Sequence, residues 1–166
     1  MLSVIIATEG VEHTAVATLA ALVPGSAAGV VREVLLVDRS DTGVIERVAD
    51  VAGCRYLRIQ GTRAAALAAG ARQARSPWLM FLHAGAVLDH GWIDETAQFI
   101  QRVSTSGQPR AGIFRYVRSP YADIRLRDRF RSMARIVNVC RKKLQTDGCF
   151  EHDKVITVQR FQRLSH

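Results

Sequence analysis

The chain has 166 residues, of which 48% are hydrophobic, and its formal net charge is +8. This length is enough for one domain with a substantial core and too short for two comfortable ones, and the composition is typical of a soluble globular protein. No apolar run approaches the ~20 residues that cross a bilayer, and the N-terminal stretch has no basic segment, so we expect neither a transmembrane helix nor a secretory signal.

Apolar runs predict four strands, and alanine-rich or amphipathic stretches between them predict four helices. The strands are predicted at Leu2–Ala7, Val34–Val37, Arg55–Ile59 and Trp78–Leu82. The helices are predicted at Thr14–Leu22, Val44–Ala52, Thr62–Arg75 and Trp92–Val103, the first of them closed by Pro24-Gly25. Strands that alternate with helices indicate an α/β fold, with a mostly parallel sheet flanked by helices. Residues 112–115 are expected to form a later strand.

Ligands of such sheets bind beyond the carboxyl ends of the strands. The predicted strand ends place three short clusters along this edge: Thr8-Glu9, Asp38-Arg39-Ser40 and His83-Ala84-Gly85. A carboxylate such as Asp38 can accept hydrogen bonds from a nucleobase or a ribose, and Arg63 at the start of the third helix can meet a phosphate. Each residue also has a simpler interpretation, as a loop cap or a solvated surface residue.

Two common phosphate motifs are absent from the sequence. No GxGxxG follows the first strand, which argues against a standard NAD site, and no GxxxxGK[ST] occurs, which argues against a P-loop. The three cysteines, Cys54, Cys140 and Cys149, form no CxxC pair and no disulfide framework, so a reducing cytoplasm is the expected location.

Four stretches in this order resemble the N-terminal half of a family-2 glycosyltransferase with the GT-A fold: LSVIIATEG, EVLLVDRSDTG, TRAAALAAGARQARSPWLMFLHAG and AVLDHGW. The resemblance covers residues 1–118. It implies a GT-A-like, nucleotide-sugar-binding domain over 1–118, with residues 119–166 packed on the same domain.

The resemblance also implies roles for single residues. Thr8 and Glu9 would line the nucleotide pocket, with Ser40 beside them. Asp38 would contact the base or ribose of the nucleotide sugar, and Arg63 would lie near the base or the diphosphate.

His83, Ala84 and Gly85 would occupy the position of the family's Asp-x-Asp motif, whose carboxylates help to hold Mg²⁺ or Mn²⁺ on the diphosphate. Part of the family has His at the first position, but Gly85 replaces the last aspartate and supplies no oxygen ligand. The alternatives are a metal-free loop and a rearranged loop that brings in Asp89. Ala68 also stands where the family commonly has asparagine.

The positive charge is concentrated in residues 110–143, which hold eleven Lys and Arg residues against two Asp residues. Within it, apolar residues recur at spacings of three and four, which predicts a basic amphipathic helix followed by a short tail. The apolar residues are Leu126, Phe130, Met133, Val137, Cys140 and Leu144. This helix could lie on an anionic membrane at the inner face, bind a lipid-linked or other anionic acceptor, or pack on the sheet or on a second subunit as a homodimer. Nucleic acid is disfavoured because no nucleic-acid recognition motif is visible in the segment.

The sequence therefore leaves two alternative functions. In the first, the chain transfers a sugar from a nucleotide-sugar donor to an unknown acceptor, although no acidic residue of the tail aligns with the family's catalytic base. In the second, it is a non-catalytic GT-A-like domain that binds a nucleotide or a partner protein without metal. The missing carboxylates favour the second function, and the retained Asp38 and Arg63 favour nucleotide binding in either case.

Overall fold

The computed structural model of the chain describes residues 1–106, 110–114 and 137–141. The helices are α1 (Glu12–Ala27), α2 (Val44–Val51), α3 (Arg63–Gln73) and α4 (Trp92–Ser106). The strands are β1 (Leu2–Thr8), β2 (Val31–Asp38), β3 (Arg55–Arg58), β4 (Trp78–His83), β5 (Ala111–Phe114) and β6 (Val137–Arg141). None of the helices described is long and apolar enough to cross a membrane.

All six strands lie in one sheet, in the order β3-β2-β1-β4-β6-β5. The first four strands are mutually parallel, and β6 runs antiparallel to both β4 and β5. The predicted α/β class, with a mostly parallel sheet flanked by helices, is confirmed, as is the late strand that begins near Gly112.

The sheet is covered on both faces, which is why its central strands read as continuous apolar runs. Alternate residues of β1 enter opposite cores. Val4 and Ile6 pack in the larger core with side chains of α1, α2 and α4, whereas Ile5 packs in the smaller core with the alanines of α3. The result is a three-layer arrangement with β1 at its centre.

The alanine-rich α3 approaches the sheet closely because it carries almost no side-chain bulk. A Cβ atom built on Gly70 would lie 2.6 Å from Ile5 Cγ2 and 3.0 Å from Val37 Cγ2. Larger residues at this position would push the helix away from β1 and β2. The composition of α3 therefore fixes the position of its N-terminus at the edge of the sheet.

The prediction that Pro24-Gly25 closes the first helix is wrong. α1 continues to Ala27 and ends in a Schellman motif, in which the Gly29 N–H donates to Ser26 O (3.0 Å) and the Val30 N–H donates to Gly25 O (2.9 Å). Gly29 supplies the left-handed residue that this motif requires, at φ +68°. Pro24 lies in the last turn, where it removes the one hydrogen bond that its N–H would have donated to Ala20 O, and the helix continues past it to the Schellman motif.

The predicted basic helix is wrong over Val137–Arg141, which form β6. Trp78 to Phe81 of β4 pair with Arg141 to Asn138 of this strand, so β6 satisfies backbone groups that β4 would otherwise expose. β-branched valines at alternate positions, 137 and 139, suit a strand as well as a helix stripe. The rest of the predicted helix and the tail lie outside the described residues.

Candidate functional site

The parallel register brings the predicted clusters to one edge of the sheet. Thr8 at the end of β1 pairs with Asp38 at the end of β2, and Ala7 pairs with His83 at the end of β4. The loops that follow these three strands, together with the start of α3, form the candidate site.

Asp38 is the centre of the first part of this site. Its side chain is fully buried, and both carboxylate oxygens accept hydrogen bonds. Oδ1 accepts from the Thr8 hydroxyl (2.9 Å) and from the Gly10 N–H (3.0 Å), and Oδ2 accepts from the Ser40 hydroxyl (2.7 Å). A buried carboxylate is stabilised by such donors, which here come from the loops after β1 and β2. Asp38 therefore clamps these two loops together.

Gly10 allows the two loops to meet. Its φ is +77°, and a Cβ atom at this position would lie 2.6 Å from Ser40 Oγ. Any side chain would therefore strain the backbone and displace the Ser40 hydroxyl from Asp38. This glycine is required both by the backbone conformation and by the close approach.

A second contact crosses the exposed surface of the same edge. Arg39 Nη1 lies 2.8 Å from Glu9 Oε1, and its Nε donates to Gly61 O at 3.0 Å. Arg39 thus ties the loop after β1 to the loop before α3. The sequence placed Arg39 on the edge without a role, because nothing in its local pattern indicates this pairing.

Arg63 and His83 form the third part. Thr62 caps α3 by accepting a hydrogen bond from the Ala65 N–H (3.2 Å), so that Arg63 is the first residue of the helix. Its Nη2 is hydrogen-bonded to His83 Nε2. Because a guanidinium can only donate, His83 accepts through Nε2 and carries its proton on Nδ1.

The turn that follows β4 is held by α1. The Gly85 N–H donates to Thr14 O (2.8 Å) and to Thr18 Oγ1 (2.9 Å), and Thr18 Oγ1 lies 3.3 Å from His83 O. Gly85 has φ +92°, and the Ala86 N–H closes the turn on His83 O at 3.0 Å. Sequence reasoning missed Thr18, since a threonine within an alanine-rich helix gives no sign of a contact 65 residues away.

The residues of this turn do not fit a divalent metal. The described part of the chain contains no group of three or more His, Cys, Asp or Glu residues that could hold a metal ion. The side chains of Ala84 and Gly85 offer no ligand atom, and the His83 Nε2 lone pair accepts a hydrogen bond from the Arg63 guanidinium. Asp89 is exposed, and its Oδ1 accepts a hydrogen bond from the His90 N–H at 2.7 Å. Mg²⁺ and Mn²⁺ require several oxygen ligands, which this arrangement does not supply.

The predicted site residues thus fall into two layers. Thr8 and Asp38 are fully buried and form the support. Five residues lie above them and are partly or fully exposed: Glu9, Ser40, Arg63, His83 and Gly85, with Ala84 half-buried beside them.

Two titratable side chains near β3 keep their protons at neutral pH. Burial, followed by the negative charges of Asp38 and Glu46, raises the pKa of Tyr56. Burial also raises the pKa of the Cys54 thiol, which makes it a poor nucleophile. Neither group is prepared to act as a base or nucleophile.

A scan against protein-family models gives no match, and a search of curated proteins gives none either. Solved structures do match. TarS of S. aureus bound to UDP aligns with 89% of this chain at TM-score 0.63 and 14% identity, and TarS bound to UDP-GlcNAc aligns with 89% at TM-score 0.63 and 16% identity. Glucosyl-3-phosphoglycerate synthase of Mycobacterium tuberculosis, with Mn²⁺ and UDP, aligns with 51% at TM-score 0.45 and 18% identity.

The likeness to the TarS structures supports a GT-A-like fold for the chain. The chain spans 48% and 47% of the two TarS chains and 33% of the mycobacterial synthase.

Proposed function

We propose that this chain binds the nucleotide of a nucleotide-sugar donor at the carboxyl edge of its sheet, and that it serves a glycosyltransferase reaction. The observation that carries the proposal is the clamp at Asp38, which fixes the loops after β1 and β2 in a GT-A-like fold. The TarS structures that share this fold are complexes with UDP and UDP-GlcNAc.

The residues divide into supporting and contacting groups under this proposal. Asp38 and Thr8 hold the loops, so that Glu9 and Ser40 face the nucleoside, and Arg63 faces the diphosphate. Transfer of a sugar needs a leaving diphosphate that is stabilised by positive charge and an acceptor hydroxyl that loses its proton to a base. We assign the stabilisation of the diphosphate to this edge of the sheet, and we assign no residue as the base.

Calorimetric titration of the purified chain with UDP, GDP and UDP-GlcNAc tests the proposal. Binding of at least one nucleotide is expected. Hydrogen–deuterium exchange locates the site: the bound nucleotide should protect amides of residues 8–11, 39–43 and 83–86 and leave those of α2 unchanged. Binding that protects α2 and not these loops, or the absence of binding, contradicts the proposal.

The second candidate is nucleotide binding without transfer, favoured by the poor fit of the turn to a metal. The two candidates differ in the fate of the donor. An active transferase is expected to release UDP slowly from UDP-GlcNAc by transfer to water, whereas a binding domain leaves the donor intact. Liquid chromatography of the nucleotide after prolonged incubation separates the two outcomes.

The cytoplasmic location, contact with a membrane or a lipid-linked acceptor, and the homodimer stay predictions. All but the first rest on the basic segment, most of which lies outside the described residues.

A further inference from the structure

We propose that the diphosphate of the bound nucleotide is held by the Arg63 guanidinium, with His83 as its anchor, and without a divalent metal. This inference rests on the proposed function and names how that site recognises its ligand. It starts from the disagreement between the turn after β4 and the metal that the fold family implies.

The first step concerns the turn itself, which is fixed in a shape that cannot gather metal ligands. Thr14 and Thr18 of α1 both accept from the Gly85 N–H, and Gly85 adopts φ +92°. A rearrangement that brought Asp89 to the end of β4 would break these hydrogen bonds. The buried Thr18 hydroxyl would then keep only its contact with Thr14 O (3.2 Å) in α1, and the Gly85 N–H would lose both of its acceptors, which disfavours the rearranged loop.

The second step concerns charge. The Nε2 lone pair that His83 could offer to a metal is instead hydrogen-bonded to a cation, Arg63. This positive charge repels a divalent cation and attracts a diphosphate. The neutral His83 ring does not offset the attraction, because it contributes no negative charge.

The third step concerns geometry. A guanidinium presents five N–H donors in a planar fork and can serve several acceptors at once, which suits phosphate oxygens. The hydrogen bond to His83 orients this fork, and the backbone of His83 is itself held by Thr18 (3.3 Å to His83 O). The exposed Arg63 is therefore pre-oriented at the edge instead of searching many rotamers, which favours binding.

Titration of UDP and GDP, each compared with its nucleoside, tests the inference in buffers with EDTA and with Mn²⁺. We expect the diphosphate to bind equally well in both buffers and at least about tenfold more tightly than the nucleoside. Arg63→Gln should weaken the diphosphate about tenfold and leave the nucleoside unchanged, and Arg63→Lys should recover part of the loss. Circular dichroism confirms that the variants are folded.

Arg72→Gln is the matched control, because it removes the same charge from an exposed position near the other end of α3 and should change neither affinity. Binding that requires Mn²⁺ would overturn the inference and keep the proposed function. So would an Arg63→Gln variant that binds UDP and GDP like the parent chain. If neither nucleotide binds in either buffer, the proposed function fails, and the inference fails with it.

Discussion

Asp38 shows how one buried residue can hold together the loops of a candidate site. Its carboxylate is completely buried and accepts three hydrogen bonds, two of them from hydroxyls and one from a backbone amide. The hydroxyls of Thr8 and Ser40 can rotate to suit a changed partner, but the Gly10 N–H cannot. The clamp therefore depends on a carboxylate and not merely on a polar side chain.

The substitution Asp38→Asn tests this role. An amide keeps one acceptor oxygen but loses the charge and turns N–H donors toward a cluster of donors. We expect the free energy of unfolding to fall by about 1–3 kcal/mol, measured by urea denaturation. Asp41→Asn is the control, because it makes the same chemical change at an exposed position of the same loop. Equal stability of the two variants would contradict the clamp.

For single residues, the sequence predicted where the site residues lie in the fold better than it predicted which residues they contact. Asp38, Thr8 and His83 follow apolar runs, and the ends of parallel strands must meet at one edge, so their grouping was predictable. The contacts of Thr18 and Arg39 were not, because they join segments far apart in the chain and depend on how the loops close. A local pattern carries no information on such closure.

Helices and strands were also mispredicted where contacts between distant segments decide the structure. The pattern of residues 137–141 fits both a helix stripe and an alternating strand, and the tertiary context decides between them. The free edge of β4 needs backbone partners, and β6 supplies them. Similarly, Pro24-Gly25 reads as a helix stop, but the buried Gly25 serves to let α1 approach α4.

Gly25→Ala tests this approach between helices. A Cβ atom at Gly25 would lie 2.2 Å from Trp92 Cη2 and 2.5 Å from its Cζ2. Alanine is the better helix former, but the clash with a buried indole should outweigh this gain and destabilise the fold by about 1–3 kcal/mol. Thermal or urea unfolding measures the change. In the Trp92→Leu background the same substitution should cost much less, and an unchanged cost would show that the indole is not the obstacle.

For the whole molecule, the sequence predicted the fold class correctly. Its apolar runs alternate with helical stretches, and such runs are typical of parallel strands that helices cover on both faces.

The candidate site lies at the carboxyl edge of the sheet. The opposite edge carries a second polar network, centred on Glu33. Its carboxylate accepts from the Ser3 hydroxyl and the Arg75 N–H, both at 2.5 Å, and pairs with Arg55 at 3.2 Å. This network joins β1, β2 and β3 to the segment between α3 and β4.

The Glu33 network predicts a pH dependence of stability. Burial by itself would raise the pKa of Glu33, but the hydrogen bonds from Ser3 and Arg75 and the contact with Arg55 outweigh it and lower the pKa below the ordinary 4.5. A pKa that is lower in the folded chain stabilises the fold above pH 4.5, and this contribution is lost as the pH falls through the folded value.

Glu33→Gln should therefore reduce the free energy of unfolding at pH 7 by about 1–2 kcal/mol. As the pH falls from 4.5 through the lower pKa of the folded chain, the parent protonates Glu33 and loses the same contribution, so the two stability curves should converge. Urea denaturation of both proteins across this range measures the difference. Glu95→Gln, at an exposed position in the first turn of α4, is the control and should lose less stability at pH 7 than Glu33→Gln. A difference for Glu33→Gln that persists unchanged in acid would mean that glutamate shape, and not its charge, holds this edge together.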